Sequence, residues 1–118
     1  MDKTPFCLLV TIALKPGCAG EYLSLVNTVN DAMRHEATFV NTVLHQAADD
    51  PDLFILHETW LDQDDFFAVQ MKRPYRAAYE ARLPALLRAP REMKVLTPIR
   101  SDFAARDGVP HSLAEQAP

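Results

Sequence analysis

The segment Phe6-Cys7-Leu8-Leu9-Val10-Thr11-Ile12-Ala13-Leu14 carries a single polar side chain, Thr11. Side chains alternate across a strand, so a strand with one wet face reads apolar, polar, apolar, whereas a nearly continuous apolar run suits a strand covered on both faces. A chain that contains it must supply a cover for each side. Lys15-Pro16-Gly17 then ends the run with turn chemistry.

The rest of the chain provides one cover. From Ala19 to about Arg34, Tyr22, Val26, Val29 and Met33 recur at spacings of four, three and four, which predicts an amphipathic helix. Phe39 to Gln46 is extended in character. Asp49-Asp50-Pro51-Asp52 reads as a turn joining it to the strand-forming run Leu53 to Leu61, an antiparallel hairpin. Asp62-Gln63-Asp64-Asp65 marks a helix start, because acidic side chains favour the positive end of the helix dipole. Pro74 restarts the helix, whose apolar stripe is Tyr75, Tyr79, Leu83, Leu86 and Leu87, with Pro84 as an expected bend or break. Met93, Val95, Leu96 and Ile99 place a last short strand within Glu92 to Arg100.

The order β, α, β, β, α, β folds as a four-stranded antiparallel sheet with helices on one face, a ferredoxin-like α+β unit over residues 1–101. The second cover of the first strand is then expected from another copy of the chain, two sheets meeting as a homodimeric α+β barrel. Residues 102–118 lack periodicity, and this tail is expected to pack on the partner subunit.

With 118 residues and 48% hydrophobic content the chain makes one globular domain with a real core, small for an enclosed active site. Acidic residues outnumber basic ones, 16 to 12, which argues against a nucleic-acid partner and against anionic membranes. No apolar run approaches the roughly 18 residues of a membrane span, and no basic stretch precedes an apolar signal core, so a cytoplasmic location is expected. Cys7 and Cys18 form no CxxC pair, and His35, His45, His57 and His111 show no metal-ligand spacing; no metal or cofactor is expected.

Chemistry concentrates in the second half of the hairpin. Strand parity puts Phe54, Leu56, Glu58 and Trp60 on one face and Leu53, Ile55, His57 and Thr59 on the other. A carboxylate flanked by apolar neighbours and an indole is either ion-paired with an Arg or Lys of a neighbouring element or used as a base. Trp60 is either core or the wall of a pocket. Lys72, Arg73 and Arg76 are either a solvated helix face or an anion-binding set, and His45 and His57 suit hydrogen bonds at the sheet or dimer face.

Taken in order, Lys15-Pro16-Gly17, Glu36, Leu44-His45 with Asp49-Asp50-Pro51, Glu58-Thr59-Trp60 and Pro74-Tyr75 give the chain a resemblance, over about residues 6–100, to the antibiotic biosynthesis monooxygenase family of the dimeric α+β barrel superfamily. The resemblance implies a homodimer that oxygenates a quinol-like or polycyclic phenolic molecule with dioxygen and no cofactor. It implies Trp60 as a substrate-contacting ring, Glu58 as base, Phe54, Phe66 and Phe67 as apolar lining, and Tyr75 and Tyr79 as donors to a developing oxyanion. Leu56 stands where the polyketide oxygenases of the family carry an asparagine, Gln70 where many relatives have a histidine, and Tyr75 where a second histidine would follow the proline. The positions corresponding to the haem-degrading branch, Val10, Val69 and Tyr79, lack its residues. Non-oxidative isomerase-like enzymes of a small signalling metabolite, and non-catalytic binding or stress-associated dimers, share the superfamily.

Overall fold

The computed structural model describes residues 3–105. Its elements are β1 (Phe6–Ala13), α1 (Ala19–Met33), β2 (Phe39–Ala47), β3 (Asp50–Trp60), α2 (Gln63–Ala68), two successive 3-10 turns (Gln70–Lys72 and Pro74–Arg76), α3 (Ala77–Leu86) and β4 (Glu92–Leu96). All neighbouring strands are antiparallel, in the order β2-β3-β1-β4. This is the expected ferredoxin-like α+β arrangement. The apolar run β1 takes a central place, with Leu8 opposite Glu58 on one side and Val95 on the other.

Burial alternates along the central strands as the pleat requires. Phe6, Leu8, Val10, Ile12, Phe54, Leu56 and Trp60 enter one core with Tyr22, Val26, Val29 and Met33 of α1 and Tyr79, Leu83 and Leu86 of α3. On the other face Leu9, Thr11, Ala13, Leu53, Ile55 and His57 are only partly buried. Cys7 and Thr59 lie there too, buried and joined through Sγ and Oγ1 at 3.4 Å.

Turn and cap chemistry explain the boundaries. Gly17 takes φ +83°, a backbone region that L side chains rarely enter, and so turns the chain from β1 into α1. The Asp62 carboxylate accepts from the Asp65 backbone N–H at 3.0 Å and caps α2. Three boundaries differ from the sequence expectation. The hairpin turn closes over Ala48 and Asp49, and β3 already begins at Asp50. There the Asp50 carboxylate accepts from the Asp52 backbone N–H at 2.9 Å and pairs with Arg88 at 2.7 Å, which holds the acidic stretch extended. β4 stops at Leu96 and leaves Ile99 91% exposed, because Pro98 has no N–H for the ladder. Pro84 ends no helix by itself: α3 runs through it to Leu86. No helix among the described residues is long and apolar enough to cross a membrane. Of the expected tail, 106–118 lie outside the described residues.

Candidate active site

β3 carries Glu58 to the helix-covered side of the sheet, where it is 6% exposed. Residues two apart on a strand share a face, so the Trp60 indole reaches back and donates from Nε1 to the Glu58 carboxylate at 3.0 Å. That is a single hydrogen bond for a buried acid, and none of the ion pairs among the described residues includes it. Burial pushes the Glu58 carboxyl above the ordinary carboxylate range, while the Trp60 bond and the charges of Arg76, Arg91 and His57 oppose the rise. Glu58 thus forms no ion pair among the described residues and is instead a buried carboxyl with a raised pKa.

Glu58 opens onto a cavity of about 30 Å³ between the sheet, α1, the second 3-10 turn and α3. Leu8, Val10 and Leu56 form its floor, Val26, Val29 and Met33 one wall, and Phe66, Met71, Arg76 and Tyr79 the other. Arg76 is the second charged group inside. It is 6% exposed, its guanidinium lies over the Phe66 ring at 5.5 Å, and Nη2 donates to the Met33 sulfur at 3.0 Å. A guanidinium buried without a carboxylate partner is costly unless something else meets its charge. Tyr79 and Tyr22 join hydroxyls at 3.3 Å. Burial raises both phenols above their ordinary value, Tyr22 strongly, so both stay neutral. At the mouth Arg91 grips the two Glu80 carboxylate oxygens at 2.9 and 3.1 Å.

The enclosed space holds a water or two but no ring; a dry cavity of roughly 150 Å³ is what admits benzene. Its walls are adaptable, because three of the chain's four methionines, Met33, Met71 and Met93, line it. The segment over it is also under-satisfied. Gln70 Oε1, Arg73 Nε, Tyr75 Oη and Arg76 Nε are buried without a hydrogen-bond partner; three belong to the paired 3-10 turns and Arg73 links them.

Of the residues singled out in the sequence, Glu58, Phe66 and Tyr79 meet at this cavity. Trp60 does not form a wall of it. The indole is fully buried between Phe39, at 5.1 Å, and Phe66, at 5.0 Å, and its link to the cavity is the hydrogen bond to Glu58. Phe54 packs on Tyr22 at 5.4 Å within the core, and Phe67 is 41% exposed, capping Phe6 at 5.8 Å. Tyr75 sits in the turn above, off the cavity lining. The three cations near Pro74 are dispersed: Lys72 is exposed, Arg73 pairs with Glu36 at 3.0 Å, and Arg76 alone faces inward. His45 is exposed and His57 lies on the far sheet face. No cluster of metal-ligating side chains occurs among the described residues.

Sequence reasoning did not single out Tyr22, Asn30 or Arg91 for this site, and left Arg76 either on a solvated helix face or in an anion-binding set with Lys72 and Arg73. One signal was present: Arg76, Tyr79, Leu83 and Leu86 recur at three, four and three, so the arginine lies in phase with the buried stripe.

Comparison with known proteins bears on the fold and the family. No curated protein matches the chain at comparable significance. Among solved structures, a Pseudomonas aeruginosa protein is 25% identical, with TM-score 0.74 over 84% of this chain and 98% of its own. A Mycobacterium tuberculosis protein is 20% identical, with TM-score 0.75 over 86% of this chain and 100% of its own. SnoaB, a cofactor-independent oxygenase from Streptomyces nogalater solved as a point mutant, is 18% identical, with TM-score 0.71 over 82% of this chain and 95% of its own. The family model described as antibiotic biosynthesis monooxygenase matches residues 5–81, well over half of the sequence, and the chain belongs to that family.

Proposed function

We propose that the protein is a cofactor-independent monooxygenase whose substrate is a small phenol or quinol presented to Glu58. The observation that carries this reading is a buried, unpaired carboxyl with a raised pKa on a cavity wall, beside a guanidinium and a neutral phenol. Such a carboxyl is tuned toward the proton affinity that general-base catalysis near neutral pH requires.

Glu58, in its ionised form, takes the phenolic proton. The phenolate passes one electron to dioxygen, the two radicals join through a ring carbon as a peroxide anion, and that anion takes the proton back from Glu58 to give a hydroperoxide. Loss of the ring C–H proton with cleavage of the O–O bond leaves a carbonyl on the ring and releases water. One phenol and one dioxygen thus become one quinone and one water. Arg76 and the Tyr79 hydroxyl are placed to stabilise the phenolate oxygen, and the surrounding Leu, Val and Met side chains exclude water from the anion.

The cavity must widen, by rotation of the methionines, to admit even one ring, which favours a single ring over a polycyclic one. The dispersal of Lys72, Arg73 and Arg76 gives the non-oxidative reading less support. The working unit is taken to be a homodimer closed across the open sheet face, with residues 102–118 on the partner.

The test is oxygen consumption by metal-free protein with a panel of phenols and quinols, for wild type and Glu58→Gln. Turnover above uncatalysed autoxidation, lowered about 100-fold or more in the variant, is expected. Equal rates in the two proteins would remove the base.

A further inference from the structure

A second concavity, about 410 Å³, lies outside the Glu58 cavity between α1 and the edge strand β2. That is within the size range of small-molecule sites. From α1 it receives Asn27, Asn30 and Arg34, at spacings of three and four and one position behind the buried residues Val26, Val29 and Met33. A polar stripe thus runs beside the apolar one and faces Phe39, Thr42 and Leu44. Several features set this groove apart from an ordinary wet surface. Asn is a poor helix former, yet two of them occupy the interior of α1 on this stripe. The β2 register slips between Phe39 and Asn41, so a bulge at Val40 re-aims the strand at the groove. Asn30 Oδ1 and Thr42 Oγ1 are buried without partners.

The groove is also joined to the reacting site. Asn30 lines both concavities, and Thr42 stands directly across the strand pair from Glu58. The lining defines the ligand. Asn30 Oδ1 accepts only, so its partner must donate a proton, which a carboxylate cannot do. At the end of α1 the negative pole of the helix dipole and the positive charge of Arg34 oppose each other, so the unpartnered Asn30 and Thr42 oxygens, and not charge, select the ligand. Amides that both donate and accept, beside a Thr hydroxyl and a Phe floor, match several hydroxyls on a flat apolar body.

We propose that this groove is the outer substrate subsite and selects a neutral polyhydroxylated aromatic, holding its hydroxyls on Asn27, Asn30 and Thr42 with one edge turned toward Glu58. The proposal rests on the reading of Glu58 as the reacting site, but its binding half is measurable without turnover. Isotope-labelled protein is titrated anaerobically with phloroglucinol and with its trimethyl ether, following the side-chain amide resonances of Asn27 and Asn30 and the heat of binding. Phloroglucinol is expected to perturb both amides and to bind at least about tenfold more tightly than the ether, since a site built for hydroxyls rejects an analogue without donors. Thr42→Val should weaken phloroglucinol about three- to tenfold, the loss expected for one neutral hydrogen bond. Asn27→Ala should weaken it similarly while raising the melting temperature, because Ala is the better helix former. A purely structural Asn27 would leave the affinity unchanged.

Equal affinity for the two compounds, no binding at millimolar concentration, or unchanged affinity in both variants overturns the proposal. Selective groove binding without oxygen consumption would retain the subsite and remove the oxygenase. Glu58-dependent turnover with silent groove amides would do the reverse.

Discussion

Burial makes the charged form of Glu58 unwelcome, and this has a measurable consequence for stability. Its folded-state pKa lies above the ordinary 4.5, so the folded protein binds a proton more tightly than the unfolded one. The associated stability is fully present below the ordinary value and is lost as pH rises through the raised one. Glu58→Gln keeps the shape and an acceptor for the Trp60 indole but cannot ionise. It should therefore match wild type in acid and become the more stable protein by neutral pH, as thermal unfolding across a pH series would show. Arg76 acts in the opposite sense, because its charge favours ionised Glu58. Arg76→Met should move the acid limb of the pH–rate profile upward and, by removing a buried unpaired cation, leave stability unchanged or improved. A limb that stays in place would show that Arg76 and Glu58 do not sense each other. Strand parity was enough to read Glu58 as an inward carboxyl. It was not enough for Trp60, since an inward side chain can face a pocket or sink between Phe39 and Phe66, and alternation does not separate the two.

Among the elements, the long periodic ones were legible because their signals are local. The stripe Tyr22, Val26, Val29, Met33 delivered α1, and the unbroken apolar run delivered a central strand. The elements that shape the site were harder to read. Gln70–Arg76 folds as two 3-10 turns, too short for a periodicity, and its inward arginine is settled by tertiary packing against Phe66 and Met33. The groove beside α1 depends on a bulge in β2 that follows from pairing register and not from the residues of β2 alone. Where a signal is local, a single substitution tests it. Gly17 has open space around it but φ +83°, so Gly17→Ala should cost about 1 kcal/mol through backbone strain alone, read from chemical denaturation. A neutral result would show that the turn relaxes to negative φ.

For the whole molecule, the alternation in β1 and β3 leaves Leu9 and Ile55 on a sheet face that the described helices do not bury. If a second copy covers that face, wild type should sediment as a dimer at micromolar concentration, and Leu9→Lys or Ile55→Lys should release monomers. A wild-type monomer would leave the apolar face without its cover. The methionine lining of the cavity has a further consequence. Thioethers accept oxygen readily, and Met33, Met71 and Met93 stand around the space where a peroxidic intermediate would form. Each escaped oxidant would convert one of these pliable apolar side chains into a polar sulfoxide and stiffen the route of entry. Sustained turnover should therefore leave a chemical record, sulfoxide at these three positions in worked protein and not in idle protein, visible by peptide mass spectrometry. The softness that lets a ring enter would then also limit the enzyme's working life.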